Sequence, residues 1–453
     1  MVIEAPPRQY RLDYLDQAMY LGLRATGQAA VMQCAWVYEH PVDYDGLARF
    51  HRNFGHGLAG RRIERSALPF GRHRWVTSAG PPGELEVAVD PRPRSQLGDW
   101  LDERAVLPVD PEWGPGWHMA VQPMTDGSTA VTLVGSHCLG DGGGALLTVF
   151  NAVTGNVCEL GLPPPRSRTR GQALRQDTRQ LFSDLPEVSR TVVGAARLAL
   201  ARRKTHGAPR SSAIAAAARL DDTRHVPVPT LAAFVDAEDW HRTAERLGGN
   251  SHSLLAGFAA KLADVMGRTG VDGTVPFIIP INDRTDPADI RANAVTLVNV
   301  RVDPRRVTHD LSVARADIRA AIGRRDAEPD PALALLPLVP FLPRRAVKHA
   351  AEMAFGFAEQ PVSCSNLGEV PAEIGRVDGT DAEYVLMRGV DQRITARVLE
   401  QRNGLLTVVG ARVGARMSLA VIGYQVGERN SKDKLRGQVQ GVLAGFGLAA
   451  TII

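Results

Sequence analysis

Cysteine is scarce in this chain. The four residues, at 34, 138, 158 and 364, include no Cys-x-x-Cys pair. That spacing points to neither a disulfide framework nor a cysteine-based zinc site, and it fits a reducing cytosol. An excess of one charge sign is equally absent. The 53 basic against 49 acidic residues leave +4, too slight over 453 residues to argue for nucleic acid. A phosphate-bearing or acidic partner stays open. Long apolar runs are missing as well. The most apolar stretch, residues 331–343, carries four prolines and is too short and too broken to span a bilayer. It can still form an apolar surface, so peripheral membrane contact stays open. The start, Met-Val-Ile-Glu-Ala-Pro-Pro-Arg, lacks a basic segment followed by an apolar core. No signal peptide is expected, and the expected location is cytoplasmic.

What is present reads as globular protein. Hydrophobic residues reach 44%, and the length exceeds what one core usually covers, so two domains are expected. Helical spacing falls at Leu12–Leu23, with Asp13 and Asp16 off its apolar face, and at Asp43–Gly57 and Gly98–Leu107. Strands are expected at Val31–Tyr38, Arg72–Val76, Leu85–Val89, Trp117–Gln122 and Ala130–Val134, with an Asp126-Gly127 hairpin turn between the last two. A proline- and arginine-rich crossover at Gly161–Arg170 leads into a long helix ending near Lys204, then a linker at 206–212. The second half reads as strands at 218–228, 231–236, Thr274–Ile281, Val295–Val302, Tyr384–Met387, Ile394–Leu399, Leu405–Val413 and Met417–Val426, with Val362–Gly368 an extended run ending in a turn. Helices are expected at Asp236–Leu247, Ser251–Gly267 (capped by Ser251 or Ser253), Val307–Arg324 and Lys432–Phe446. Both halves mix helices with antiparallel-like strands. The fold class is therefore α+β, in two similar domains at 1–205 and 206–453.

The chemistry concentrates in one stretch. The apolar run Ala130–Val134 ends in a glycine-dense turn, Gly135–Gly144, whose only strongly titratable side chains are His137 and Asp141. A histidine at the end of a buried strand, beside glycines that admit a ligand to the backbone, is what a general base requires. Three other readings compete: a satisfied structural histidine, a dinucleotide site, and a metal cluster. Gly140-Asp-Gly142-Gly-Gly-Ala145 does match Gly-x-Gly-x-x-Ala, with Glu159 about 20 residues on. However, Glu159 runs into Gly-Leu-Pro-Pro-Pro rather than closing a second strand, and no metal-ligand set is recognisable elsewhere.

With Ser136, the turn reads Ser-His-Cys-Leu-Gly-Asp-Gly. It resembles the His-His-x-x-x-Asp-Gly motif of the condensation-domain and chloramphenicol-acetyltransferase-like superfamily. The nearest branches are the wax ester synthase/diacylglycerol acyltransferase-like and polyketide-associated acyltransferases. His137 falls on the catalytic second histidine, Asp141 on the aspartate and Gly142 on the glycine, while Ser136 replaces the first histidine. Leu15-Asp16-Gln17-Ala18-Met19-Tyr20 is similar to the opening Leu-Asp-x-x-Phe helix, and Pro115-Gly116-Trp117 to a Pro-Leu-Trp element with its leucine lost. Pro280 to Arg284 resembles Pro-x-x-x-Arg, Asn293 stands where that branch has Gly-Asn, and Ser365-Asn366-Leu367-Gly368 resembles Ser/Thr-Asn-x-x-Gly.

The resemblance implies two coenzyme-A-dependent-acyltransferase-like domains packed as a V around a tunnel. It implies transfer of an acyl group from acyl-CoA or an acyl carrier protein to a hydroxyl, in preference to an amine. The acceptor would be a small molecule or lipid. No cofactor would be bound, the thioester being the co-substrate, and no metal is expected. His137 would be the base and Arg284 would support Asp141, with Trp117, Ser365 and Asn366 toward the substrate. Arg166, Arg168 and Arg170 are ordinarily solvated but could meet phosphates of coenzyme A or a carrier protein. Cys138 should point away from His137 and pack. A scaffold that keeps this fold for binding or carrier docking, without the chemistry, is the competing reading; Ser136 and the lost leucine keep it open. A nicotinamide-dependent oxidoreductase is the more distant one.

Overall fold

The computed structural model describes residues 10–204, 224–286, 289–325, 333–354 and 361–453. In chain order the strands are β1 (Ala29–Tyr38), β2 (Arg61–Glu64), β3 (Arg74–Thr77), β4 (Glu86–Val87), β5 (Trp117–Pro123), β6 (Thr129–Ser136), β7 (Thr230–Asp236), β8 (Val275–Asn282), β9 (Val295–Val302), β10 (Val362–Val370), β11 (Tyr384–Gln392), β12 (Leu405–Val413), β13 (Arg416–Tyr424) and β14 (Thr451–Ile452). One sheet runs β11-β1-β6-β5-β4, a second runs β14-β7-β13-β12-β10-β8-β9, and β2 pairs with β3 alone. The helices that shape the first lobe are α1 (Tyr14–Thr26), α2 (Tyr44–Phe54), α3 (Leu97–Ala105), α4 (Gly142–Thr154) and α5 (Arg170–Lys204).

Period-two side-chain alternation explains why β1 is apolar on both faces. Cys34, Trp36 and Tyr38 face a core shared with Phe50, Phe54, Trp117, Leu133 and Val149. Ala35 and Val37 face the other way, onto Leu97, Trp100, Leu101 and Phe234. In the second lobe, the helix Ser251–Val265 is buried over most of its length. Asn250 caps it in a reciprocal box with Ser253, so the cap is one residue earlier than serine chemistry alone predicts.

One strand crosses the division at 205/206. β11, from the second half, pairs antiparallel along β1, with Tyr384 opposite Val37 and Gln392 opposite Ala29. Trp36 Nε1 also donates to the carbonyl of Ile374 at 2.7 Å. The first sheet is completed by the far half of the chain.

Three local expectations change. Ile394–Leu399 is not a strand: Thr395 accepts from Val398 N–H and caps a short helix, Ala396–Gln401, which turns Ile394, Val398 and Leu399 into one cluster. The helix expected from Val307 begins at Ser312. Asp16, expected off the packed face of α1, is fully buried with Gln17. Gln17 Oε1 accepts from His73 N–H, and Tyr20 donates to Glu112, so α1 docks through its polar side. Residues 206–212, and most of the strand expected at 218–228, lie outside the described residues.

Two histidines make this core acid-sensitive. Burial pushes His73 and His118 down to about 4. His73 Nδ1 accepts from Ser66 N–H, and the His118 ring is largely buried with the Arg104 cation nearby, so neither ring readily takes a proton. An unfolded histidine titrates near ~6.5. Below that value the unfolded chain binds protons the folded chain refuses. Stability should therefore fall as pH falls from ~6.5 towards ~4, by up to ~1.4 kcal/mol per pH unit for each ring. Urea midpoints measured across that window check this; a flat profile would contradict it.

Candidate active site

β6 delivers His137 one residue past its end. The backbone on either side is held by hydrogen bonds: His137 N–H donates to Ala30 O at 3.0 Å, and His137 O accepts from Asn293 Nδ2 at 3.3 Å. The imidazole is half-buried. Its Nδ1 is enclosed with no partner among the described residues, which leaves Nε2 as the accessible nitrogen. Cys138 points into a core with Leu12, Tyr20, Trp75 and Leu139, and burial pushes its thiol up to about 12. It is a packing residue, not a nucleophile.

Asp141 ends the turn as the N-cap of α4. Its Oδ1 accepts from Gly144 N–H at 2.6 Å. Its Oδ2 accepts from Ala294 N–H at 2.7 Å, and Asp141 N–H donates to Ala292 O at 2.8 Å. Arg284 Nη2 lies 3.5 Å from Oδ2 and donates to Arg291 O at 3.0 Å. The arginine pairing implied by the motif is thus present but long; the short bonds of Asp141 go to backbone donors from both halves of the chain. At the first turn of α4, the N–H groups of Gly142 and Gly143 have no intrahelical acceptor and carry the positive end of the helix dipole. A Cβ on Gly142 would come within 3.0 Å of Leu367, and one on Gly143 within 3.3 Å of Asn282 Nδ2.

A second buried carboxylate braces the same segment. Asp16 accepts from Ala292 N–H, Asn293 N–H and Asn293 Nδ2 at 2.9–3.0 Å. Burial raises its pKa, while those donors and Arg61 pull it down. Arg61 is itself buried, lies 4.0 Å over the Trp75 ring, and donates to the carbonyls of Ile290 and Leu139. Burial lowers its pKa to about 10, so it stays a cation at neutral pH. The result is a strip of alternating charge, Asp16, Arg61, Asp141 and Arg284, beneath the turn. Sequence reading located Asp16 in a motif but not its work. Arg61 carries no motif signal at all.

A small apolar cavity borders the turn inside the first lobe. Met32, Cys34, Phe54, Trp117, Leu133 and Val149 line it together with Ser136, Gly140 and Gly144 of the turn; His137 itself is not among its lining residues. Trp117 is 2% exposed and packs edge-to-face on Phe54 at 4.9 Å, so it is at once core and cavity wall. A more polar cavity, lined by Asn53, His56, Asn151 and Cys158, adjoins it, the two sharing Leu58 and Thr148.

Ser365 and Asn366 lie on β10 just before its register shift, where Asn366 Oδ1 accepts from Gly368 N–H at 2.9 Å. Gly368 has φ +73°, the left-handed conformation that glycine permits. This bulge reaches the turn through Leu367 against Gly142. Arg168 is neither solvated nor free for a phosphate: it pairs with buried Asp177 at 2.6 Å. β6 is antiparallel to both β1 and β5, so the Gly-x-Gly-x-x-Ala pattern does not sit in a parallel dinucleotide-binding unit. Among the described residues no group of three or more His, Cys, Asp or Glu could hold a metal, and no helix is long and apolar enough to cross a membrane.

No protein-family model matches this chain, and no curated protein matches its sequence. Its fold has counterparts among solved structures. The chain is similar to the first condensation domain of the CDA synthetase, at 13% identity over 96% of each chain with a TM-score of 0.56. It is also similar to the wax ester synthase/diacylglycerol acyltransferase from Marinobacter aquaeolei VT8, at 15% identity over 96% of this chain and 98% of that one, TM-score 0.55. Polyketide synthase associated protein 5 from Mycobacterium tuberculosis aligns at 14% identity over 96% and 97%, TM-score 0.51. At these identities the likeness is one of fold. The chain has the two-lobed α+β fold of condensation domains.

Proposed function

We propose that this chain is an acyltransferase that moves an acyl group from a thioester, acyl-CoA or an acyl carrier protein, to an acceptor hydroxyl. One arrangement supports the reading. An imidazole with Nε2 accessible stands on a turn braced from both lobes, and other residues of that turn, Ser136, Gly140 and Gly144, line an apolar cavity. In the proposed reaction, His137 Nε2 takes the proton of the acceptor O–H as that oxygen attacks the thioester carbonyl. The developing oxyanion faces the first-turn N–H donors of α4 at Gly142 and Gly143. Collapse breaks the C–S bond, and the departing thiolate takes the proton back from Nε2. Ester and free thiol result, with no bound cofactor and no covalent enzyme intermediate. Arg284 and Asp141 position the turn, and Ser365 and Asn366 border the acceptor side.

The acyl tail occupies the cavity lined by Phe54, Trp117 and Leu133 in this reading. Ala145 lines the same space. Ala145→Leu should then shift preference to shorter acyl thioesters, lowering kcat/KM for long chains roughly 10- to 200-fold while sparing short ones. Incubation with mixed acyl thioesters and a pool of lipid and metabolite acceptors, followed by mass spectrometry, tests the whole reading. Acyl-acceptor products are expected; none across the pool would count against it.

A further inference from the structure

The long helix α5 lies on the first lobe by one side only. Its inner face is anchored by Asp177, which accepts from Ser66 Oγ, Ala67 N–H and Arg168, and by Asp184, which pairs with Arg11. Its outer face presents Leu174, Phe182, Leu185, Val192 and Val193, with Phe182 at 66% exposure. With Thr178 and Ser189 between them, these positions fall on one side of a helix, at steps of three and four. From 174 to 193 the stripe runs ~28 Å, at 1.5 Å per residue. Arg175, Arg179 and Arg190 are exposed beside it, and Glu187 is the one exposed acid along this stretch. Arg175 and Arg179 enter no ion pair among the described residues. The apolar surface continues sideways. The segment Leu333–Phe341 packs against α5, Phe341 stacks on exposed Phe70 at 6.1 Å, and exposed Leu342 is followed by Arg344 and Arg345.

We infer that this face of α5, with the adjoining Phe70 and Leu342, docks the protein on an anionic lipid surface. A helix with exposed apolar side chains and arginines along the stripe's edge is the form of an interfacial helix. Its apolar side chains enter the acyl boundary while the guanidinium groups stay at headgroup phosphates. The same charge could attract an acidic carrier protein. Protruding apolar side chains edged by arginines, on a helix that holds Pro186 within the stripe, match an anionic bilayer, and the bilayer is the occupant we commit to. This inference is independent of the chemistry proposed for His137.

Co-sedimentation of the full chain with phosphatidylcholine vesicles, with and without phosphatidylglycerol, tests it. The chain should pellet with the phosphatidylglycerol vesicles and be released by salt. Phe182→Asp with Leu185→Asp should lower partitioning by ~10-fold or more, and Arg175→Glu with Arg179→Glu should lower it about fivefold for each arginine removed. All four positions are exposed, so melting should match the unmodified chain. Absence of vesicle binding, or binding unchanged in both double variants, would overturn the inference. So would loss of binding to an acidic carrier protein in variants of a chain that never bound vesicles.

Discussion

His137→Ala is expected to leave the chain folded and to lower acyl transfer by ~10²–10⁴-fold, the range a positioned general base contributes. The two halves of that result have separate causes. The hydrogen bonds that hold the turn run through His137 N–H and O, to Ala30 and from Asn293, and alanine keeps both. The imidazole adds little to stability, because its enclosed Nδ1 is unpartnered among the described residues. Removing a buried polar atom without a partner relieves a desolvation cost of ~1–3 kcal/mol. Melting should therefore change little while turnover collapses. A variant that keeps full turnover would remove His137 from the mechanism.

Asp141→Ala should behave in the opposite way, losing stability and activity together. The carboxylate caps α4 and receives Ala294 N–H from the second half, with Arg284 buried against it. Alanine leaves those N–H donors without an acceptor and the Arg284 charge without its carboxylate, Arg284 keeping only its bond to Arg291 O. Breaking a buried pair by removing one partner costs ~3–5 kcal/mol, and lost capping alone costs ~1 kcal/mol. Urea unfolding should show a drop of that order. Asp141→Asn keeps one acceptor for Gly144 N–H and should fall between. If Asp141→Ala unfolded at the same urea concentration as the unmodified chain, the bracing role would be wrong.

Much of this site is legible in the chain because its signals are local. A β-branched run, a glycine-dense turn and a resumed apolar pattern place His137 at the end of β6 and Asp141 at the start of α4. Pro280–Arg284 ends on an arginine that does reach Asp141, although at 3.5 Å. What escapes sequence reading is long-range pairing. Nothing local says that Tyr384–Gln392 completes the first sheet beside β1, 355 positions away at Gln33 and Arg388. Asp16 sits among apolar residues at helical spacing and reads as solvent-facing. It is buried because the backbone of 292–293, far along the chain, supplies its donors. Ile394–Leu399 alternates like a strand, but Thr395 supplies a cap that alternation does not register. Arg168 reads as one more surface arginine, until Asp177 of α5 closes over it.

The central claim is that His137 moves a proton during thioester transfer, and free-thiol release tests it most directly. An acyl thioester and an alcohol acceptor identified by the product screen would be mixed with the chain or with His137→Ala, and thiol followed alongside ester. Thiol and ester should rise in equal amounts with the unmodified chain, and neither should rise above background with the variant. Thiol release that the variant sustains at the same rate, or the absence of any thiol release by the unmodified chain across that screen, would contradict it.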